Sequence, residues 1–257
     1  MIEREDRGAV ARLTLDDPDR LNALSDEMLA ALSDALDEVA EGDARVVVLA
    51  ARGRAFCAGH DLRQMQAMRQ AEDGGAAAFA DLFSRCAAVM TRLKRIPQPV
   101  IAEVQGAAVA AGCQLVASCD MAVASSAARF GVNGVSIGLF CSTPMVALTR
   151  AVPRKAAFEM LTTGRIVGAE EARSLGLVNR VAEPDALEAE AMGLAEAVAE
   201  KLSAAVRIGK ATFYEQAEMG LDEAYAHAGA AMAANMGLDD TAEGIAAFLE
   251  KRPPAWG

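Results

Sequence analysis

Aromatic residues are scarce in this chain: they make up 4% of its 257 residues, with a single tryptophan, although 53% of the residues are hydrophobic. Alanine supplies much of that hydrophobic content, and small side chains favour closely packed helices over large aromatic anchors. A chain of this length can bury most of its apolar surface without disulfides or metals. We therefore expect a helix-rich, tightly packed protein.

Positive charge is also scarce, because 25 lysine and arginine residues stand against 36 acidic residues and give a net charge of -11. Proteins that bind nucleic acids usually carry a basic patch, so nucleic acid is not an expected partner. The five cysteines are odd in number and form no CxxC pair, which predicts free thiols. No zinc spacing, Walker loop or convincing dinucleotide fingerprint is present, and we expect no metal and no separate cofactor.

Long apolar runs are missing as well. The longest, from Val104 to Val116, is interrupted by Gln105, Gly106 and Gln114 and is too short to span a bilayer. The first seven residues are mostly charged, unlike a secretion signal. These patterns predict a cytoplasmic protein with no membrane partner.

Strand and helix patterns alternate through the first half of the chain, which predicts parallel strands and an α/β fold. The predicted strands cover residues 9–15, 45–50, 100–104 and 121–124, and the predicted helices run from the Ser25 cap to Gly42, from Asp61, over 76–95 and from Gly112. Beyond Pro144 the pattern is almost wholly helical, and only 177–181 resembles a strand. We predict a core of residues 1–200 and a C-terminal helical oligomerisation region of residues 201–257. Its scattered apolar side chains favour packing on another subunit.

Two small-residue segments come directly before helix patterns: residues 53–62, and residues 106–115. In the second segment, the N–H groups of Ala111 and Gly112 would lie at the positive end of a helix and suit an oxygen anion. The alternative is that small residues there only permit tight packing. The side chain of His60, in the first segment, is either a donor or acid/base group or a solvated or capping histidine.

The segment Cys141 to Pro144 also has two interpretations. A thiol or hydroxyl at a helix start can be reactive, because the pKa of a thiol is lowered there. The alternative is a helix cap by Ser142 or Thr143 with Pro144 in the first turn, and the residue types favour this cap.

Taken together, these segments resemble the crotonase superfamily, the enoyl-CoA hydratase/isomerase family. The matching segments run through essentially the whole chain: Arg20 to Leu24, Phe56 to Leu62, Gly106 to Asp120, Phe130 to Gly138, Leu161 to Gly164 with Ala169 to Val178, and Glu243 to Arg252. The resemblance implies a crotonase-like spiral of β-β-α units with a helical C-terminal region that forms trimers, often paired into hexamers.

The resemblance also implies a substrate, an acyl-CoA thioester, with coenzyme A as part of that substrate. The family holds the thioester oxygen with two backbone N–H groups, which fall here on His60 and Ala111, and so stabilises an enolate-like anion. The implied CoA contacts are Arg20 and Arg63 at the phosphates, Ala23, Ala58, Asp61 and Leu62 along the adenine and pantetheine, Gly112 beside the thioester, and Phe248 and Lys251 at a neighbouring subunit's CoA.

The catalytic positions depart from the family pattern. The two glutamates that deliver water in family hydratases align with Gln114 and Gly134. Glutamine can orient a water but cannot accept its proton near neutral pH, and glycine has no side chain. A third acidic position of some relatives aligns with Ser142, and the tyrosine of a decarboxylase branch aligns with Cys141. Ordinary hydration is therefore not expected.

Three functions stay open on these residues. One is an acyl-CoA enzyme, such as a decarboxylase or isomerase, in which Gln114, Cys141 or Ser142 positions water or substrate. The second is a non-catalytic acyl-CoA-binding protein. The third is a hydratase whose acid comes from elsewhere in the chain.

Overall fold

The structure, a computed structural model, describes residues 1–256. Its strands are β1 (Ile2–Arg7), β2 (Val10–Leu15), β3 (Val46–Ala51), β4 (Ala55–Cys57), β5 (Val100–Val104), β6 (Ala107–Val109), β7 (Met121–Ser125), β8 (Arg129–Gly131), β9 (Ile166–Gly168) and β10 (Arg180–Ala182). Its α-helices are α1 (Asp26–Glu41), α2 (Leu62–Met68), α3 (Ala76–Arg95), α4 (Ala111–Ser118), α5 (Ser142–Ala151), α6 (Arg154–Thr163), α7 (Ala169–Ser174), α8 (Leu187–Ala199), α9 (Ser203–Gln216), α10 (Leu221–Met236) and α11 (Asp239–Glu250).

The strands form two sheets that the chain visits in turn. The larger sheet has the order β1-β2-β3-β5-β7-β10, and all its neighbours are parallel except β1 and β2. The smaller sheet has the order β4-β6-β8-β9, parallel except for β8 and β9. A strand of the larger sheet is followed by one of the smaller sheet and then by a helix in β3-β4-α2, β5-β6-α4 and β7-β8-α5. This repetition confirms the predicted spiral of β-β-α units.

Most long elements begin and end where the sequence pattern placed them, including α3 and β5. The prediction of a strand over 177–181 was wrong in position, because the ladder pairs residues 180–182 with β7. Helix α4 begins at Ala111, one residue before the predicted start. Strands β4, β6, β8 and β9 were not predicted, since three residues are too few to show a periodicity. No helix within residues 1–256 is long and apolar enough to cross a membrane.

Helix α9 is fixed to the core by a buried amine. The Nζ of Lys210 donates to the carbonyl oxygens of Leu93 and Gln98, each at 2.8 Å, and to the Oδ2 of Asp120 at 2.7 Å. The hydroxyl of Tyr214 donates to the other carboxylate oxygen of Asp120 at 2.7 Å. The C-terminal helices therefore start from a well-anchored base at the end of α3.

Helices α10 and α11 leave large apolar side chains uncovered in the protomer. No residue of α10 is buried. The exposed side chains of the C-terminal helices are Phe213, Leu221, Tyr225, Met232, Met236, Ile245, Phe248 and Leu249. The division of the chain at residue 200 stays a prediction, and residue 257 lies outside the described residues.

Candidate functional site

The segment from Arg20 to Leu24 lies directly against the loop that follows β4. The N–H of Ala58 donates to the carbonyl of Leu21 at 3.1 Å, and the N–H of Leu24 donates to the carbonyl of Gly59 at 2.8 Å. Buried Asn22 ties the same segment down, because its side-chain amide donates to the carbonyl of Ala55 at 2.9 Å. Two distant motifs of the sequence therefore form one structural unit.

The two small-residue segments meet at Gly59. A Cβ atom on Gly59 would lie 3.1 Å from the carbonyl oxygen of Val109 and 3.2 Å from the amide nitrogen of Ala111. Gly59 also has a φ of +91°, which favours glycine. At the next residue of α4, a Cβ on Gly112 would lie only 2.0 Å from the carbonyl oxygen of Cys57. Small residues are therefore required for the start of α4 to touch the loop after β4.

The start of α4 presents unpaired N–H groups at this contact. Ala110, just before the helix, has φ 50° and ψ -119°, a conformation that alanine rarely adopts. Ala111 is the first helical residue, so its N–H has no intrahelical acceptor and lies at the positive end of the helix. The N–H of His60 likewise makes no backbone hydrogen bond within residues 1–256, and the bridge to Leu24 is made by the carbonyl of Gly59.

The His60 side chain packs inward and is not a helix cap. Its ring meets Phe83 edge-on at a centroid distance of 5.6 Å, and its Nδ1 lies 3.4 Å from the carbonyl oxygen of Leu24. Burial lowers the pKa of His60, so the ring is neutral at physiological pH. The Nε2 is buried without a partner.

Gln114 and Gly134 are both buried. The Oε1 of Gln114 has no hydrogen-bond partner within residues 1–256. Gly134 lies in a 3-10 helix over Asn133–Ile137, and a Cβ there would lie 2.2 Å from the carbonyl oxygen of Leu139 and 2.8 Å from the Sγ of Cys141. Glycine at position 134 is therefore imposed by the local packing.

The prediction that Ser142 or Thr143 caps α5 was wrong. The N-cap residue is Cys141, no side chain makes a capping hydrogen bond, and Pro144 is the third helical residue. The Oγ of Ser142 bonds weakly to the carbonyl of Phe140 at 3.4 Å. Burial raises the pKa of Cys141, so its thiol is not activated by the helix start.

All five cysteines are free and buried, and burial raises the pKa of Cys57, Cys86, Cys113 and Cys119 to about 12. We expect the folded protein to react very slowly with a thiol reagent such as DTNB near neutral pH, because the thiolate is the reactive form. Denatured protein, the control, should release five equivalents. Fast release of one equivalent by the folded protein would contradict this expectation.

Of the residues predicted to contact CoA, a subset lies together at this loop. Arg20 pairs with Asp17 at 2.7 Å and approaches Asp61 at 3.9 Å. Asp61 caps α2 by accepting from the N–H of Arg63 at 2.8 Å, and Arg63 itself is exposed. Ala23, Ala58 and Leu62 belong to the same unit. Phe248 and Lys251 do not belong to this unit. Phe248 lies on α11 and Lys251 directly follows it, and the main contact of α11 is α10.

Two cavities are lined in part by α2 and α4, the helices that follow these loops. One, of about 530 Å³, lies between α2, α3 and the segment 137–139 and is lined mainly by apolar side chains, among them Leu62, Met65 and Phe83. The other, of about 430 Å³, lies between α3, α4 and α5 and contains Gln114 and Ser118. Sequence reasoning missed Ser118, although its position four residues after Gln114 places it on the same helix face.

Comparisons with known proteins agree with this architecture. The profile of the enoyl-CoA hydratase/isomerase family matches residues 5–257. Mitochondrial enoyl-CoA hydratase domain-containing protein 3 of Mus musculus is 46% identical over 248 residues, which cover 96% of this chain and 81% of that protein. The crystal structure of an enoyl-CoA hydratase from Mycobacterium smegmatis matches with a TM-score of 0.95 at 52% identity, covering 99% of this chain and 98% of that one. The human domain-containing protein 3 matches with a TM-score of 0.94 at 43% identity over 99% of both chains.

The prediction of a cytoplasmic location is contradicted by these relatives. The proteins from Mus musculus, Rattus norvegicus and Homo sapiens, at 45–46% identity, are all named mitochondrial. Net charge and the lack of a long apolar run do not distinguish one reducing compartment from another, which is why the prediction failed. The profile match and the relatives show that the chain belongs to the enoyl-CoA hydratase/isomerase family, a family of enzymes with the crotonase fold.

Proposed function

We propose that this protein binds acyl-CoA thioesters and holds the thioester oxygen with the backbone N–H groups of His60 and Ala111. The observation that carries the proposal is the contact of Gly59 with Ala111, next to two N–H groups that make no backbone hydrogen bond. Donors fixed at a helix N-terminus stabilise the negative charge of an enolate without reorganisation. Coenzyme A enters as part of the substrate, and this chemistry requires no further cofactor.

The same proposal gives a role to the exposed arginines and the C-terminal helices. Arg20 and Arg63 lie beside the loop, and in this proposal they would meet the CoA phosphates. The uncovered apolar side chains of α10 and α11 fit a homotrimer or a dimer of trimers. In such an assembly, Phe248 and Lys251 would meet the CoA of the neighbouring subunit.

The reaction that best fits the buried site begins from an enolate formed without a carboxylate base. Loss of CO2 from a substrate fits this condition: the bond to the carboxylate carbon breaks, its electrons form the enolate, and water returns a proton. Gln114, with its free amide oxygen, and the neutral thiol of Cys141 would position the reacting groups. A non-catalytic acyl-CoA-binding protein is the alternative.

A hydratase with an acid from elsewhere has one specific candidate. Glu218 shares the cavity of about 430 Å³ with Gln114. Its side chain is 68% exposed and pairs with Arg150 at 3.3 Å. A carboxylate that is solvated and paired with an arginine is not held against the reacting atoms, so this candidate ranks below the others.

Two neighbouring alanine variants test the thioester site by calorimetry with acetyl-CoA and crotonyl-CoA. His60→Ala keeps the backbone N–H, and we expect its affinity to stay within a few-fold of the native protein. Gly59→Ala introduces a Cβ 3.2 Å from the nitrogen of Ala111 at a φ of +91°. We expect this variant to lose at least about tenfold in affinity, because the paired donors are displaced.

Three results of that calorimetry would contradict the proposal. If neither thioester bound to the native protein at millimolar concentration, the proposal would lose its premise. Equal binding by native protein and Gly59→Ala would show that the paired N–H groups do not hold the thioester. A large loss of affinity in His60→Ala alone would show that the imidazole, and not the backbone N–H, holds the thioester.

A further inference from the structure

The cavity between α3, α4 and α5 carries charge of the opposite sign to the protein. Its lining includes one carboxylate, Glu218, and three cations, Lys94, Arg95 and Arg150. The net charge of the lining is therefore +2, in a chain whose net charge is -11. A concave site with excess positive charge concentrates anions.

Part of this positive charge forms no direct ion pair. Arg150 pairs with Glu218 at 3.3 Å. The amine of half-buried Lys94 lies over the ring of Tyr214 at 4.4 Å, and neither Lys94 nor Arg95 forms an ion pair within residues 1–256. A ligand carboxylate at this wall would therefore have no direct ion pair of Lys94 to displace.

Two buried polar side chains of α4 face the same cavity without partners. Gln114 is 4% exposed and Ser118 is 1% exposed, and both line the cavity. The Oε1 of Gln114 and the Oγ of Ser118 have no hydrogen-bond partner in the described chain. Buried polar atoms are almost always paired in folded proteins, so this pair indicates a polar ligand. The hydroxyl of Ser118 and the Nε2 of the Gln114 amide can donate to a carboxylate, whereas the Oε1 of Gln114 only accepts.

One face of α4 relates the polar cavity to the proposed thioester site. Ala111, Gln114 and Ser118 are spaced by three and four residues, so they lie in a row on α4. The row runs about 10 Å from the first residue to the last. The other cavity, lined by Leu62, Met65 and their apolar neighbours, suits the pantetheine or an apolar group instead.

We propose that the cavity at Lys94, Gln114 and Ser118 receives the free carboxylate of the acyl chain, so that the preferred ligands are CoA thioesters of dicarboxylic acids. The inference rests on the proposed thioester site. It adds the substrate class, with Lys94 as the charge partner and the two α4 side chains as hydrogen-bond donors.

Matched thioesters test this inference by calorimetry. Succinyl-CoA, glutaryl-CoA and adipyl-CoA are each compared with the neutral acyl-CoA of equal carbon number. At one or more of these lengths we expect the carboxylate to improve affinity by about tenfold, the effect of one charged hydrogen bond. If no length shows a preference while the neutral thioesters bind, this inference is overturned and the thioester site stands. If no thioester binds, this inference and the proposed thioester site are both overturned.

Three variants assign the preference to the cavity. We expect Lys94→Met to abolish the preference for a carboxylate and Lys94→Arg to keep most of that preference. Glu218→Gln should enlarge the preference, because it removes the negative charge from the cavity. Arg92→Met is the matched control, because Arg92 lies on the same helix but pairs with Asp37 and does not line the cavity. An equal drop in Lys94→Met and Arg92→Met would show a general charge effect and overturn the assignment.

Discussion

Crotonyl-CoA is expected to be hydrated at least about 10²-fold more slowly by this protein than by a family member that keeps both glutamates. Water addition needs a group that takes the proton of the water, and the amide of Gln114 cannot take it near neutral pH. Gly134 offers no group at all. Loss of enoyl thioester absorbance, followed under identical conditions for both enzymes, measures the difference.

Gln114→Glu is expected to recover part of this activity, because it restores one carboxylate at a buried site. Gly134→Glu is expected to reduce stability instead, since its Cβ would lie 2.2 Å from the carbonyl oxygen of Leu139. Gln70→Glu, an exposed position after α2, controls for the added charge. Native hydration at the rate of ordinary hydratases would contradict the argument and would direct attention to Glu218 as the base.

Hydrophobic periodicity was sufficient to predict most of the long elements, but not β1, because four of its six side chains are exposed. The stripe of α1, the cap at Ser25 and the apolar runs of β3 and β5 each carry a signal over several residues, and the structure confirms them. The strands of the smaller sheet carry none, because they have three residues each and their ladders join segments far apart in sequence. Their pairing depends on tertiary contacts, and only the family resemblance implied it.

The candidate site likewise has a part that the sequence predicted and a part that it did not. The glycine and alanine pattern pointed to the start of α4, and the structure gives its physical reason in the contacts of Gly59 and Gly112. The positive cavity had no local signal. Lys94 and Ser118 lie on different helices, and only the packing of α3 on α4 brings them to one wall. A sequence pattern on one element cannot reveal a site assembled from several.

Gly112→Ala is expected to be among the most destabilising single-methyl changes in this protein, with a loss of about 3 kcal/mol or more in the free energy of unfolding. The added Cβ would lie 2.0 Å from the carbonyl oxygen and 2.7 Å from the carbonyl carbon of Cys57. Both are backbone atoms of β4, so no side chain can rotate away. Helix α4 cannot retreat either, because all eight of its residues are buried.

Gly193→Ala provides the matched control for this change. Gly193 is exposed on α8, and nothing lies within 4 Å of its Cβ position. Alanine there should raise stability by roughly 1 kcal/mol through helix propensity. Urea unfolding of both variants measures the contrast, and calorimetry with acetyl-CoA should show that Gly112→Ala also loses affinity. If the two variants unfolded alike, β4 and α4 would not be in close contact, and the proposed pairing of His60 with Ala111 would lose its structural basis.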